Sequence, residues 1–531
     1  MNLLYEPWLP FRCRDGEIVT RPISAIVDSN IIDFALPRAD FQGAAYQLVI
    51  GLLQTTFAPQ DKKEWYALYQ NAPEQNQLEE AFKQVSHAFE LDGDGPRFMQ
   101  DLDPLNGQKP SDVFGLLIDA PGENGIKNNT DLFVKRCNQP VLSPAMAAIA
   151  LFTLQINAPS GGSGHRVGLR GGGPLTTLVM PQDRLSTLWQ KLWLNVINRS
   201  YWKYDDPNFH DGSVFPWLAP TRESSSKGSE IYLSSPGIHP LHVYWAMPRR
   251  IRLIFEDCSA VCSLSGQAIE RGVYAYRTKN LGNNYCGDWD PTPFTPYCWN
   301  PKKAEADHIS QKGQRGGITY RTWEILTLTD SEKSGHVSAR VVDHYTNIAR
   351  RRLSDNPRIW AFGYDMDNMK ARGWYSQTMP LFVVDEEIRD EFIYEINSLQ
   401  RFSSEAILKT RNSIKAAWFA RPGDVGGDMT FIEMSFWQST EEAFFKTAAH
   451  VLSNLSSQQS ALTPLQATEF KQRLQKVCEA LFDNYALVDS ADFRSLERQL
   501  QARSRLMGWL HGGKLVKTFD QNYHVDTTKG K

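Results

Sequence analysis

Beyond residue 378 the apolar side chains fall into helical registers. Ile388, Phe392, Ile396 and Leu399 recur at spacings of four, four and three, and Phe444, Ala448, Val451 and Leu452 mark a second stripe. A third runs Phe470, Leu474, Val477, Leu481, and a fourth Phe493, Leu496, Leu500, Met507. The third opens with Thr463-Pro464-Leu465-Gln466, an N-cap Thr with Pro at the first helical position and Gln three residues after the cap. Four amphipathic helices with short connections predict a C-terminal four-helix bundle over residues 378–531. Upstream, short apolar runs alternate with Gly, Pro and Asn clusters. Ile251-Arg252-Leu253-Ile254-Phe255 reads as a strand and Gly282-Asn283-Asn284 as a turn. The expected class is α+β, a large mixed N-terminal domain with long loops (1–377) followed by the bundle. Loops of that kind often carry function.

Composition narrows the function classes. The 531 residues carry 57 Lys and Arg against 60 Asp and Glu, a formal charge of −3, and a length of this order holds about two to four domains. With 41% hydrophobic and 22% charged residues, disorder, collagen-like repeats and a highly basic nucleic-acid coat are excluded. Local basic patches can still bind phosphates. The start, MNLLYEPWLP, has no basic n-region or apolar h-region, and the longest apolar-rich stretch, around Met146 to Ile156, is far short of the ~20 residues of a membrane span. Seven scattered cysteines do not make a disulfide scaffold, and the expected compartment is the cytoplasm.

Candidate chemistry concentrates in Asn157 to Pro174, NAPSGGSGHRVGLRGGGP. A glycine-dense loop can bring bare backbone against a ligand. His165, Arg166 and Arg170 would add donors beside it, which suits a phosphate or a nucleic-acid groove; the plain alternative is a surface loop. The dinucleotide fingerprint fails because Val167 stands where a third Gly is needed. Gly508 to Leu515 resembles a phosphate loop but has Leu515 in place of the Mg²⁺-binding hydroxyl and follows a helix, so Gly512 or Gly513 reads as a helix cap. Cys258, Cys262, Cys286 and Cys298 form a pattern too loose for paired zinc knuckles. His239-x-x-His242 and Asp343-His344 lack the context of a metal-dependent hydrolase, and no G-x-S-x-G appears. Basic residues cluster at Arg249, Arg250 and Arg252, at Arg350 to Arg352, and at Lys409, Arg411 and Lys415. Interleaved with aromatics, such clusters suit contacts to a nucleic-acid backbone.

Several segments together resemble one family, CasA, the large subunit of the type I-E CRISPR surveillance complex Cascade. They are the MNLLYEPWLP start, Phe133-Val134, Asn138-Gln139-Pro140, Ala148-Ile149-Ala150-Leu151-Phe152, Ala158-Pro159 with Gly168-Leu169-Arg170-Gly171-Gly172, Trp289 through Pro296-Tyr297-Cys298, and Gly363-Tyr364-Asp365-Met366-Asp367-Asn368. The resemblance spans nearly the whole chain in order. It implies a non-catalytic subunit with no cofactor that recognises the PAM in double-stranded DNA, helps open the duplex for R-loop formation, and docks a helicase-nuclease. Partners would be the other Cascade subunits, crRNA and the DNA target, with no membrane. The family's glycine loop would fall on Ser160, Gly161, Gly162, Ser163 and Gly164. Its basic hairpin would fall near Tyr274 to Leu281, with either Arg277 or Lys279 as the contact, and its wedge on Asp367-Asn368. Asn368 stands where the family often has Gln, which implies a shallower wedge. Phe133, Val134, Lys135, Arg136 and Asn138 resemble the loop that docks on crRNA. Some members hold zinc through two CxxC pairs; here Ser143, Met146, Cys262 and Ser265 stand there, so no metal is expected, with a rearranged set including Cys258, Cys286 and Cys298 as the alternative. Two other readings remain open, a purely architectural subunit and a metal-dependent nuclease using His239, His242, Asp343 and His344.

Overall fold

The computed structural model describes residues 1–129, 131, 139–162, 164–225, 227–289, 292–300, 302, 308–329, 335–348, 353, 356–367, 370–424, 426–487 and 493–525. The chain forms two compact units, Met1–Gly313 with Thr329–Thr378, and Gln314–Leu328 with Met379–Lys531.

In the first unit, β1 (Leu9–Cys13) lies between β2 (Ile18–Arg21) and β3 (Ile31–Phe34), antiparallel to both. The core is built on α1 (Ala39–Thr56) and α2 (Pro144–Asn157), each buried along almost its whole length. Helices apolar on every side belong inside a large fold rather than on its surface. Trp65, Trp193, Trp217 and Trp245 are fully buried around them. The indole N–H groups of Trp65 and Trp217 donate to Val196 O (2.8 Å) and Ala88 O (2.7 Å), which offsets the cost of burying a donor.

Five further strands frame the region of interest: β4 (Thr176–Met180), β5 (Arg250–Val261), β6 (Ala268–Lys279), β7 (Arg358–Asp367) and β8 (Lys370–Pro380). β5 and β6 form a long antiparallel hairpin. Its foot sets Arg250 opposite Lys279 and Arg252 opposite Arg277. β7 lies between β4 and β8, with Phe362 opposite Thr176.

The second unit holds the expected four long helices, α3 (Glu386–Trp418), α4 (Thr430–Ser456), α5 (Pro464–Ala486) and α6 (Phe493–Gly512), followed by the shorter α7 (Lys514–Asn522). The Thr463 capping box forms as the sequence predicts, with side chain and backbone of Thr463 and Gln466 bonded reciprocally. The stripe of α6 does not. Its buried positions are Gln499, Ala502, Leu506 and Leu510, while Leu496 and Leu500 are exposed. The inner face is partly small and polar, which a search for apolar spacing overlooks; Gln475 of α5 reaches across to donate to Leu510 O (2.6 Å). The glycines after α6 join it to α7, Gly513 N–H donating to Trp509 O (2.8 Å). Residues 314–328, which no periodicity separates from their neighbours, pack in this unit. Tyr320 stacks on Phe444 (4.2 Å between ring centroids) and bonds Thr440 Oγ1 (2.8 Å).

Candidate nucleic-acid interface

The glycine-rich stretch after α2 has two parts with different physics. Gly168 N–H donates to Ala158 O (3.1 Å) and Gly173 N–H to Asn157 O (3.2 Å), folding the later part back on the helix end. A Cβ at Gly173, where φ is +61°, would lie 2.5 Å from Met366 Cγ and 2.9 Å from Tyr364 O. That glycine is there so that β7 can pack. Gly162 is the opposite case: its φ is +75°, yet a Cβ there would meet nothing within 4 Å. On either side of Gly162, Gly161 N–H closes the loop on His165 O (3.2 Å), and Gly164 O accepts from Leu281 N–H (2.8 Å) at the foot of the β5–β6 hairpin.

The stretch therefore touches both other elements singled out from sequence, β7 through Gly173 and the hairpin foot through Gly164. Asp367 ends β7 half-exposed and pairs with Arg372 (3.1 Å), which also grips Asp365 (2.7 Å). Asn368 and Ser163 lie outside the described residues, as do Phe133, Val134, Lys135, Arg136, Asn138 and Arg350 to Arg352.

The basic side chains are distributed differently from the sequence expectation. Arg166 does not offer itself to a ligand; its Nε and Nη2 hold Ser224 Oγ (2.7 Å) and Ser224 O (2.9 Å). Arg170 is buried and donates to Thr176, Thr295 and Gln47, and burial brings its pKa down to about 10. Lys312 lies beside it, donating to Arg170 O (2.8 Å), and burial, then the charge of Arg170, lowers it to about 8. These two cations, with neutral partners, leave net positive charge beside the Gly171 part of the stretch.

At the hairpin foot the strand alternation sorts the side chains onto two faces. Arg250, Arg252, Arg277 and Lys279 share one. There Glu223 bonds both Arg250 and Lys279 (3.0 Å to Lys279), and Asp101 takes Arg250. Arg277 has no carboxylate partner among the described residues, and its buried Nε has no hydrogen bond. The other face, with Ile251, Tyr276 and Thr278, walls a cleft of about 210 Å³ closed by Ser160, Gly161, His165 and Arg249. Arg249 was visible only as one member of a basic run. Its parity relative to Arg250 is what points it at the glycine loop.

The remaining polar candidates are engaged by protein. His239 accepts Leu241 N–H and bonds Asp205 O, buried His242 bonds Ser213 O and Tyr285, and buried His344 bonds Asn198. Asp343 takes Tyr201 and Asn347. Ser143 caps α2, accepting Met146 N–H, while its own N–H donates to Cys262 Sγ (3.3 Å). Among the described residues no three His, Cys, Asp or Glu side chains gather to hold a metal ion, and none of the helices is long and apolar enough to cross a membrane.

The family model for CRISPR-associated protein Cse1 matches residues 2–481. The chain belongs to the Cse1 family. Solved Cse1 structures share its fold. Cse1 of Thermobifida fusca aligns with a TM-score of 0.71 at 15% identity, over 98% of each chain. CasA of Thermus thermophilus aligns with 0.66 at 17% identity, over 96% of this chain and 99% of that one. A chain in a structure described as a CRISPR RNA-guided surveillance complex gives 0.65 at 16%, with 96% and 99% coverage. Membership of the Cse1 family and the α+β fold agree with what the sequence resemblance implied.

Proposed function

We propose that this Cse1 protein is the non-catalytic large subunit of a crRNA-guided surveillance complex, and that it reads a short PAM in double-stranded DNA through the Ser160–Gly164 loop. The observation carrying this reading is Gly162, a left-handed residue on open space, in a loop flanked by Arg249 at Gly161 and braced by the hairpin foot at Gly164. Bare backbone at that point can approach a minor groove, where A·T and T·A present nearly the same acceptors, so several PAM sequences should be tolerated. Of the two hairpin candidates, Arg277 is favoured, because Glu223 already holds Lys279. Asp367-Asn368 would wedge beside the PAM. Stacking costs about 1.4 kcal/mol per base-pair step and is returned as guide RNA pairs, so a wedge need supply only the first step or two. Phe133, Val134, Lys135, Arg136 and Asn138 would dock on the crRNA, and the opened complex would recruit a helicase-nuclease.

Gel shifts of a crRNA-loaded complex on matched duplexes, with and without this subunit, across a PAM panel at fixed salt, test the reading. A PAM-dependent gain in affinity is expected, and Gly162→Val should abolish it while the complex still assembles. An equal gain for every PAM would leave the loop a purely architectural role.

A further inference from the structure

The cleft beneath Ser160 and Gly161 is unlike the opposite face of the same hairpin. Among the described residues its lining includes no Asp or Glu, and neighbouring Asp119 is taken by Arg38 (2.8 Å). Arg249 is the only cation of fixed charge among the described residues that line it. The guanidinium makes one hydrogen bond among the described residues, from Nη2 to Pro159 O, while Nε is buried with none. Of the five N–H donors in this rigid fork, one is spent on Pro159 O and the Nε–H is buried, which leaves the other Nη donors to meet a ligand at the rim beside Gly161. His165 and the Ser160 hydroxyl stand beside it, and Leu117, Ile118, Leu154 and Ile251 supply an apolar floor. Its volume, about 210 Å³, is roughly seven waters' worth. A planar guanidinium with spare donors is matched by an oxyanion with several acceptors, and phosphate takes both prongs of the fork. The apolar floor suits the sugar attached to such a group.

We propose that this cleft, with Arg249 as its anchor, binds a phosphate group, and that the group is a backbone phosphate of the nucleic acid engaged by the glycine loop. The source of the phosphate rests on the function proposed above; the phosphate chemistry does not. The approach is specific to the loop's geometry. A Cβ at Gly161 would lie 2.4 Å from Arg249 Nη1, so Gly161 is what lets the guanidinium reach the rim.

The test uses the full-length protein with two probes, inorganic phosphate followed by ³¹P line broadening and a short duplex DNA titrated at several salt concentrations. Arg249→Gln, which can keep the bond to Pro159 O, and Gly161→Ala, which displaces the guanidinium, are compared with wild type and with Arg249→Lys. The expected results are loss of phosphate broadening in the first two variants, partial retention in Arg249→Lys, and a duplex salt slope lower by about one, with affinity reduced alike for every sequence. Lost broadening with an unchanged salt slope would make free phosphate the ligand and overturn the nucleic-acid source. Unchanged broadening and slope in both variants would overturn the site. Sequence preference reports separately: its loss in Gly162→Val but not Arg249→Gln is expected, and its absence in wild type would sink the PAM reading while leaving the phosphate result standing.

Discussion

Histidines that looked like possible metal ligands in the sequence have a different consequence once buried. His242 is enclosed with Nδ1–H donating to Ser213 O (3.0 Å) and Nε2 accepting from Tyr285 (2.9 Å). His344 sits against Trp65 and Tyr201 with Nε2 on Asn198 Oδ1 (2.7 Å) and Nδ1 unbonded. Burial lowers them to about 4 and about 3, against roughly 6.5 for an unfolded chain. The folded state therefore binds fewer protons than the unfolded one below pH 6.5. The stability these neutral rings allow is complete above that pH and is lost as the pH falls toward 4, at about 1.4 kcal/mol per pH unit for each. Urea unfolding at pH 7, 6 and 5 should show that loss, and His344→Gln should flatten the profile by close to one proton. Parallel profiles for variant and wild type would contradict it. The same scale explains what the sequence hid at the glycines: Gly162 and Gly173 read alike in a string, yet one faces open space and the other Met366. Only the distant partner tells them apart.

At the scale of elements, legibility depended on whether the inner face was apolar. The third bundle helix was readable to its cap because Phe470, Leu474, Val477 and Leu481 are all buried. The fourth was readable as a helix but not in register, because Gln499 and Ala502 face inward while Leu496 and Leu500 face out. Leu506, almost fully buried, should therefore matter more than the leucines that match the apolar spacing. Leu506→Ala is expected to cost about 2–5 kcal/mol through lost burial and the cavity it leaves, whereas Leu500→Ser should change stability by no more than about 0.5 kcal/mol. Denaturation midpoints of the two variants decide this, and a larger loss at Leu500 would restore the register expected from sequence. The hairpin foot follows the same logic. A run of Arg at 249, 250 and 252 reads as a basic cluster, but strand parity divides it between a face rich in acids and a cleft with none.

For the whole molecule, the informative feature is that the chain enters the second unit twice. Periodicity alone suggests cutting at 377/378, since the long helical stripes all lie beyond it. Yet the helices close over residues from 314–328. Tyr320 stacks on Phe444 and is fully buried, its hydroxyl meeting Thr440 and its carbonyl oxygen meeting Gln400 Nε2 (2.7 Å). Trp323, also fully buried, donates to Pro380 O (2.7 Å) and packs edge-on against Phe392 and Phe445. Removing two buried aromatics of this size costs about 3–5 kcal/mol each, a large part of the stability of a domain. A fragment of residues 379–531 should therefore melt early or bind a hydrophobic dye. The same fragment carrying residues 314–328 on a flexible linker should melt cooperatively at higher temperature, and a version with Tyr320→Ala and Trp323→Ala should revert. Calorimetry of the three fragments separates the cases. Equal melting of the first two would mean that the helices hold together without that excursion, and that the 377/378 cut suggested by periodicity is sufficient for an independent domain.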